Sequence, residues 1–219
     1  PVYNEADTVR EVIRRVRAVD IPTEIILVDD GSTDGTRQAL EQLEACDDLR
    51  IFYQDRNRGK GAALKLGFAH ATGAVVSIQD EDLEYDPRDF RLLLYPILAD
   101  QADVVYGSRF GYARGIVSSY AHQRGNQLIT RLSNFRTGLG LTDVETCYKV
   151  FRRELIQQIT PTLQENRFGI ELEMTAKLAR IEGVRFCERP ISYAGRTYAE
   201  GKKIGVRDGI RAMWCIMRY

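Results

Sequence analysis

Residues that build metal cages and redox frameworks are scarce in this sequence. Its two histidines, His70 and His122, are too few and too far apart for a His-rich metal centre. Cys46, Cys147, Cys187 and Cys215 are scattered without a C-x-x-C pair. That excludes a zinc ribbon and predicts reduced, cytoplasmic thiols rather than a disulfide framework. Lys+Arg and Asp+Glu balance at 31 each, so no global field draws the chain to nucleic acid. No apolar run approaches the ~20 residues that span a bilayer, and no signal peptide is evident. The first strand-helix turns lack G-x-G-x-x-G, which disfavours a dinucleotide-binding dehydrogenase. There is no internal repeat, low-complexity tract or linker. A chain of 219 residues that is 44% apolar can bury one sizeable α/β core, and residues 1–219 are read as a single domain.

What is present is a rhythm of apolar strands and helices. Strands are predicted at 24–28, 49–53, 74–78, 103–106, 147–151 and 184–188. Helices are predicted at about 36–45, 60–71, 87–98, 119–137 and 168–181, with an amphipathic one at about 204–218. Thr33-Asp34-Gly35 offers caps for the first of these, and Asp86-Pro87 a cap and first-turn proline for the third. This alternation predicts a mostly parallel central sheet flanked by helices. Pro1-Val2-Tyr3-Asn4-Glu5 resembles a strand-to-helix turn, so a strand is expected ahead of Pro1.

Ligands of open α/β sheets bind beyond the carboxyl ends of the strands. Those ends carry Asp29-Asp30, then Gln79-Asp80-Glu81-Asp82-Leu83-Glu84, then Gly107-Ser108-Arg109. An acidic cluster at the end of a buried strand calls for a cation or a positively charged ligand group. The D-x-D spacing of Asp80 and Asp82 suits a nucleotide-bound Mg²⁺ or Mn²⁺, which takes one or two carboxylates and fills its remaining positions with phosphate and water.

Together, Pro1 to Glu5, Val28 to Ser32, Asn57-Arg58-Gly59-Lys60-Gly61 and Gln79 to Asp82 resemble the family 2 glycosyltransferases of the GT-A fold. Gly107 to Phe110, Thr142 to Lys149 and Arg196 to Lys203 narrow the resemblance to the dolichol- and polyprenyl-phosphate hexosyltransferases. It covers essentially the whole chain, with residues 1–110 as the nucleotide-sugar half and 111–219 as the acceptor half. The resemblance implies that Pro1, Tyr3 and Glu5 contact base and ribose and that Val28 and Asp30 continue the pocket. It further implies that Asp80, Glu81 and Asp82 meet the donor and that Asp82 and Glu84 hold the metal. The family usually has Ala where Glu81 stands and often Gln where Glu84 stands. Arg109 is implied at a phosphate, and Arg196 and Lys202 as a basic pair closing over donor and acceptor phosphates.

The reaction implied is inverting transfer of mannose or glucose from a nucleotide sugar (GDP-mannose or UDP-glucose) to a polyprenyl phosphate. The alternative is a relative acting on a hydroxyl acceptor, a saccharide or small molecule, which needs a carboxylate base. Glu171 and Glu173 are candidates for that base, although at least one of them is expected only to supply favourable charge at a helix N-terminus. Asp143 and Glu145 are candidates to line an acceptor channel. Residues 202–219 carry Val206, Ile210, Met213, Trp214 and Met217 on one face, flanked by arginines. That face is suited either to a peripheral contact with the cytoplasmic side of a membrane or to packing on the sheet or a partner.

Overall fold

The computed structural model describes residues 1–43, 48–110, 120–195 and 206–219. Helix α1 (Val9–Arg17) leads into β1 (Ile25–Asp29); α2 (Thr36–Glu41) separates β1 from β2 (Leu49–Tyr53), and α3 (Lys60–His70) follows. β1 and β2 pair in parallel, Ile25 opposite Leu49 and Asp29 opposite Tyr53. Val2 bridges to Asp29 in the same sense, which sets the first residues beside the end of β1. Asp34 accepts from the backbone N–H of Thr36 at 3.0 Å, while Gly35 at the cap position itself takes a φ of 99°. Asp86 caps as expected, accepting from Arg88 N–H ahead of a 3₁₀ turn at Pro87–Asp89 and α4 (Phe90–Leu98).

The remaining strands are β3 (Val75–Ser77), β4 (Val104–Ser108), β5 (Lys149–Arg152) and β6 (Phe186–Pro190), in the order β3-β5-β4-β6. β4 is buried along its whole length and runs parallel to β6. β5 runs antiparallel to both its neighbours, so this sheet is mixed and the expectation of a mostly parallel one is corrected. The reason lies in the path between β4 and β5. Helix α5 (Tyr120–Thr137) carries the chain away, and residues 138–143 bring it back to the end of β4. There Ser108 Oγ meets Thr142 Oγ1 at 2.6 Å and Arg109 N–H donates to Asp143. A strand starting at the edge where β4 ended has to run the other way.

Helix α6 (Arg153–Ile159) follows β5 without a turn or capping side chain, which is why no sequence signal announces it. Helix α7 (Ile170–Leu178) is buried on nearly every side, and α8 (Val206–Arg218) packs on α5 and α7. Among the side chains described in α8, Ala212, Cys215 and Ile216 face inward with the following Tyr219, whereas Ile210 and Met217 face outward. The stripe expected to act as one apolar face is therefore split. α8 buries Ala212, Cys215 and Ile216 on its side toward α5 and α7 and leaves Ile210 and Met217 exposed.

Gly59 is one of the positions where only glycine fits. It has a φ of 99°, and a Cβ there would stand 2.3 Å from the carbonyl oxygen of Asn166. Gly59→Ala is expected to cost about 2–3 kcal/mol through left-handed strain and collision. A thermal melt checks this, and an unchanged midpoint would mean the loop yields freely.

Candidate active site

The carboxyl ends of β1, β3 and β4 assemble the site through hydrogen bonds between distant loops. Asn4 N–H donates to Ser32 Oγ and Glu5 N–H to Thr36 Oγ1, each at 2.9 Å, and Thr8 Oγ1 donates to the Glu5 carboxylate at 2.7 Å. These bonds hold Pro1, Tyr3 and the buried Glu5 beside the end of β1, where Val28 is also buried. Asp29 accepts from Arg37 and from Ser32 N–H. Asp30 is 2% exposed and accepts from the backbone N–H groups of Arg58 and Gly59, both at 2.7 Å. Asp30 therefore lies at the expected pocket wall with both carboxylate oxygens engaged by the 57–59 loop.

Lys60, the first residue of α3, reaches Asp80 Oδ1 at 2.9 Å and Glu171 Oε1 at 3.1 Å. Lys149, fully buried in β5, donates to the other Glu171 oxygen at 2.6 Å and lies 4.8 Å from the centre of the Tyr106 ring. A ladder of alternating charge, Lys149–Glu171–Lys60–Asp80, thus runs from the core to the acidic cluster. Burial alone would raise the Asp80 carboxyl, but Lys60 and the Cys147 thiol bring it below the ordinary carboxylate value. Sequence reading assigned no chemistry to Lys60 or Lys149. The signal for Lys149 was a lysine inside an otherwise apolar strand.

Asp82 is in the opposite condition. Burial and then the neighbouring Asp80, Glu84 and Glu81 push its carboxyl up to about 7, against a partial opposing bond from Glu84 N–H. Leu83 between them has a φ of 61°, a conformation that costs energy for a branched residue and clusters at functional sites. Glu84 accepts from the Tyr193 hydroxyl at 2.7 Å, its carbonyl accepts from Ala194 N–H, and Tyr85 bridges Tyr193. The segment leading to Arg196 is therefore fastened to the acidic cluster. Arg196 and Lys202 themselves lie outside the described residues.

Arg109 forms a two-pronged pair with Asp143, Nε and Nη2 donating at 2.7 and 2.8 Å, and its guanidinium sits 5.2 Å from the Tyr193 ring centre. Asn126 donates to the same carboxylate at 3.0 Å. Asp143 is fully buried and anchors Arg109, so it does not line an open channel. Glu173 is fully buried too; it accepts from the N–H groups of Gln164 and Glu165 and pairs with Lys177. Its role is structural. Glu145 is half-buried beside Arg109 and Asp143, and burial raises its carboxyl.

The donor set suits a hard divalent cation. It consists of carboxylate oxygens whose mutual repulsion a cation would relieve at Asp82, close to Glu84. Among the described residues no three metal-ligating side chains converge on one point. A site completed by diphosphate and water needs only one or two of them.

Comparison with known proteins agrees with this architecture. The model of the family described as glycosyl transferase family 2 matches residues 1–160. The glycosyltransferase AglJ of Haloferax volcanii is 31% identical over 211 residues; the match covers 95% of this chain and 66% of that protein. Glucosyl-3-phosphoglycerate synthase of Mycobacterium tuberculosis, solved with Mn²⁺ and UDP-glucose, superimposes with a TM-score of 0.69 at 18% identity, covering 97% of this chain and 73% of that one. Mannosyltransferase PcManGT of Pyrobaculum calidifontis, solved with GDP-Man and Mn²⁺, gives 0.61 at 24% identity, with 89% and 55% covered. At these identities the structural likeness establishes a shared fold.

Proposed function

The chain belongs to glycosyl transferase family 2, and we propose that it transfers mannose or glucose from a nucleoside diphosphate sugar to a polyprenyl phosphate. The observation that carries the acceptor is the commitment of the nearby carboxylates. Glu171 is held between two lysines, Asp143 by Arg109, and Glu173 by backbone N–H groups and Lys177. Asp143 and Glu173 have no free oxygen to take a proton from a hydroxyl, and the buried Glu171 Oε1, although it accepts no hydrogen bond, lies 3.1 Å from the Lys60 ammonium. A phosphate acceptor is already an anion and needs only positioning.

In this reading Pro1, Tyr3, Glu5, Val28 and Asp30 form the nucleoside pocket, with Asp80, Glu81 and Asp82 at its diphosphate end. Asp82 and Glu84 would hold Mg²⁺ or Mn²⁺, which supplies Lewis-acid stabilisation of the departing diphosphate. Arg196 and Lys202 add positive charge to the same leaving group. The acceptor phosphate oxygen attacks the anomeric carbon from the opposite face. The bond to the diphosphate breaks, and the nucleoside diphosphate leaves with the electron pair. Inversion follows.

A second reading rests on Glu145. Its raised carboxyl beside Arg109 is suited to serve as the base for a hydroxyl acceptor.

The exposed face of α5 supports a peripheral membrane position. Arg124, Leu128, Arg131 and Phe135 fall on one helical stripe and are all exposed, Phe135 by 87%. The helix contains no acidic residue. A basic, apolar stripe of this kind suits an anionic bilayer surface. Among the described residues no helix is long and apolar enough to cross a membrane.

The test is transfer with Mn²⁺ or Mg²⁺, offering GDP-mannose and UDP-glucose separately with a polyprenyl phosphate in anionic vesicles. Lipid-linked sugar is the expected product, formed undiminished by Glu145→Gln and lost from vesicles when Leu128 and Phe135 become Glu. Activity only toward hydroxyl acceptors, abolished by Glu145→Gln, would overturn the phosphate reading in favour of the second.

A further inference from the structure

Two largely buried lysines have no part in the transfer step outlined above. The side chain of Lys149 in β5 is fully buried, and that of Lys60 at the start of α3 is 15% exposed. Glu171 joins them. Its Oε2 accepts from Lys149 at 2.6 Å, while its Oε1 lies 3.1 Å from the Lys60 ammonium, buried and accepting no hydrogen bond. Glu171 is also fixed from behind. Thr175 Oγ1 donates to its carbonyl at 2.7 Å and lies 2.8 Å from the Tyr106 hydroxyl.

A purely structural role accounts poorly for this arrangement. Charges are expensive to take out of water, and apolar side chains of similar volume commonly serve a core as well or better. The bare Glu171 Oε1 adds a further cost. What the ladder does provide is a fixed direction at its outer end. The Lys60 ammonium straddles the Asp80 carboxylate, 2.9 and 3.0 Å from its two oxygens. Burial works against the charge on Lys60, and Asp80, Cys147 and Glu171 outweigh it. An ammonium is a point charge on a flexible stem and sets no angle by itself. Glu171 supplies the second point that fixes it. A carboxylate has about four lone-pair positions. Lys60 and the Cys147 thiol engage Asp80 from the inner side, and its side chain remains 17% exposed on the other.

We propose that Glu171, backed by Lys149, is a positioning residue that steers Lys60 so that Asp80 presents a carboxylate oxygen to a hydroxyl of the nucleotide sugar. This role rests on the reading of Asp80 as a donor contact. Glu171 takes no proton in it and touches neither substrate. The hydroxyl belongs either to the ribose or to the transferred hexose.

Glu171→Gln alone would strand the Lys149 ammonium in the core. Lys149→Met/Glu171→Gln removes both charges together, leaves the net charge unchanged and takes away the point that fixes Lys60. Lys60→Arg keeps the charge but replaces the straddling ammonium with a planar fork, and so tests the geometry without touching the core pair. Calorimetric titration in Mn²⁺ measures the affinity of each protein for GDP-mannose, UDP-glucose and the two nucleoside diphosphates, after a thermal melt has shown the variants to be folded. The expected result is a Kd for the bound nucleotide sugar raised about tenfold in both variants, the loss of one hydrogen bond to a charged group. Turnover with polyprenyl phosphate at saturating donor should stay within about threefold of wild type. A loss shared by the nucleoside diphosphate assigns the ribose hydroxyl, and a loss confined to the nucleotide sugar assigns the hexose. Donor affinity is read without an acceptor, so failure of the polyprenyl phosphate reading leaves this test intact. Wild-type protein that binds neither donor would overturn the proposed function and this role with it. Donor affinity unmoved in the two variants would overturn this role alone, as would a collapse of turnover at unchanged affinity, which marks Glu171 as a base.

Discussion

Asp82→Asn is expected to reduce metal-dependent transfer by about 10³-fold or more in kcat while making the metal-free protein more stable above pH 7. Both effects have one cause. Burial and the carboxylates of Asp80, Glu84 and Glu81 raise the Asp82 carboxyl to about 7, against roughly 3.9 for an unfolded aspartate. Between those values the folded state holds a proton that the unfolded state has released. Stability therefore falls as pH rises through that window, and the penalty is complete above it. It is on the order of a few kcal/mol at most, since Asp82 keeps some contact with solvent. Asparagine removes the charge and with it the penalty, so the variant should melt higher than wild type at pH 8, with the gap narrowing toward pH 5 and closing near the unfolded value of about 4. Mn²⁺ should raise the midpoint of the wild-type protein and leave the variant unmoved. Retained turnover, or an equal Mn²⁺ response in the two proteins, would remove Asp82 from the metal site.

Asp143→Ala is expected to be the most damaging single change to the fold around the site, costing about 3–5 kcal/mol. That corresponds to a fall in Tm on the order of 10 °C for a chain of this size. The carboxylate is fully buried and accepts from Arg109 through its N–H, Nε and Nη2, and from Asn126. Its removal strands the Arg109 guanidinium in a pocket where burial alone disfavours the charge and Asp143 is what sustains it. The Asp143 carboxyl lies below its ordinary value despite burial, because Arg109 favours the charged form. The stabilisation is thus present above the unfolded pKa and is lost as pH falls through the lower folded one. The difference between wild type and variant should accordingly shrink in acid. A variant within about 1 kcal/mol of wild type by denaturant titration would mean that Arg109 finds another partner.

Catalysis should suffer as well, because Arg109 faces Tyr193 and Tyr193 holds Glu84. From sequence Asp143, with Glu145, is a candidate to line an acceptor channel, and its burial against Arg109 corrects that expectation for Asp143. Loop residues next to a strand look the same in sequence whether they face solvent or an arginine 34 positions away.

Local patterns carried a good deal. The alternation of apolar runs placed all six strands found among the described residues, and β2 occupies the expected 49–53. The Asp86-Pro87 pair marked where its helix begins. The acidic cluster after β3 marked where charge is uncompensated. These features depend on neighbours within a few residues: side-chain period, cap chemistry and the cost of crowding carboxylates.

The tertiary structure alone decided matters set by long-range contacts. The direction of β5 follows from where the chain returns after α5, and the inward face of α8 follows from the shapes of α5 and α7. Glu171, a candidate base in sequence, became the middle of a charge ladder because Lys60 and Lys149 arrive from elements far away along the chain. Composition states how many charges a chain carries, but the energy of a buried charge depends on which opposite charge lies within about 3–4 Å of it. For this protein the sequence by itself determined its family, its alternating elements and the position of its acidic cluster. Only the folded arrangement determined which of its carboxylates are committed and which are left to act.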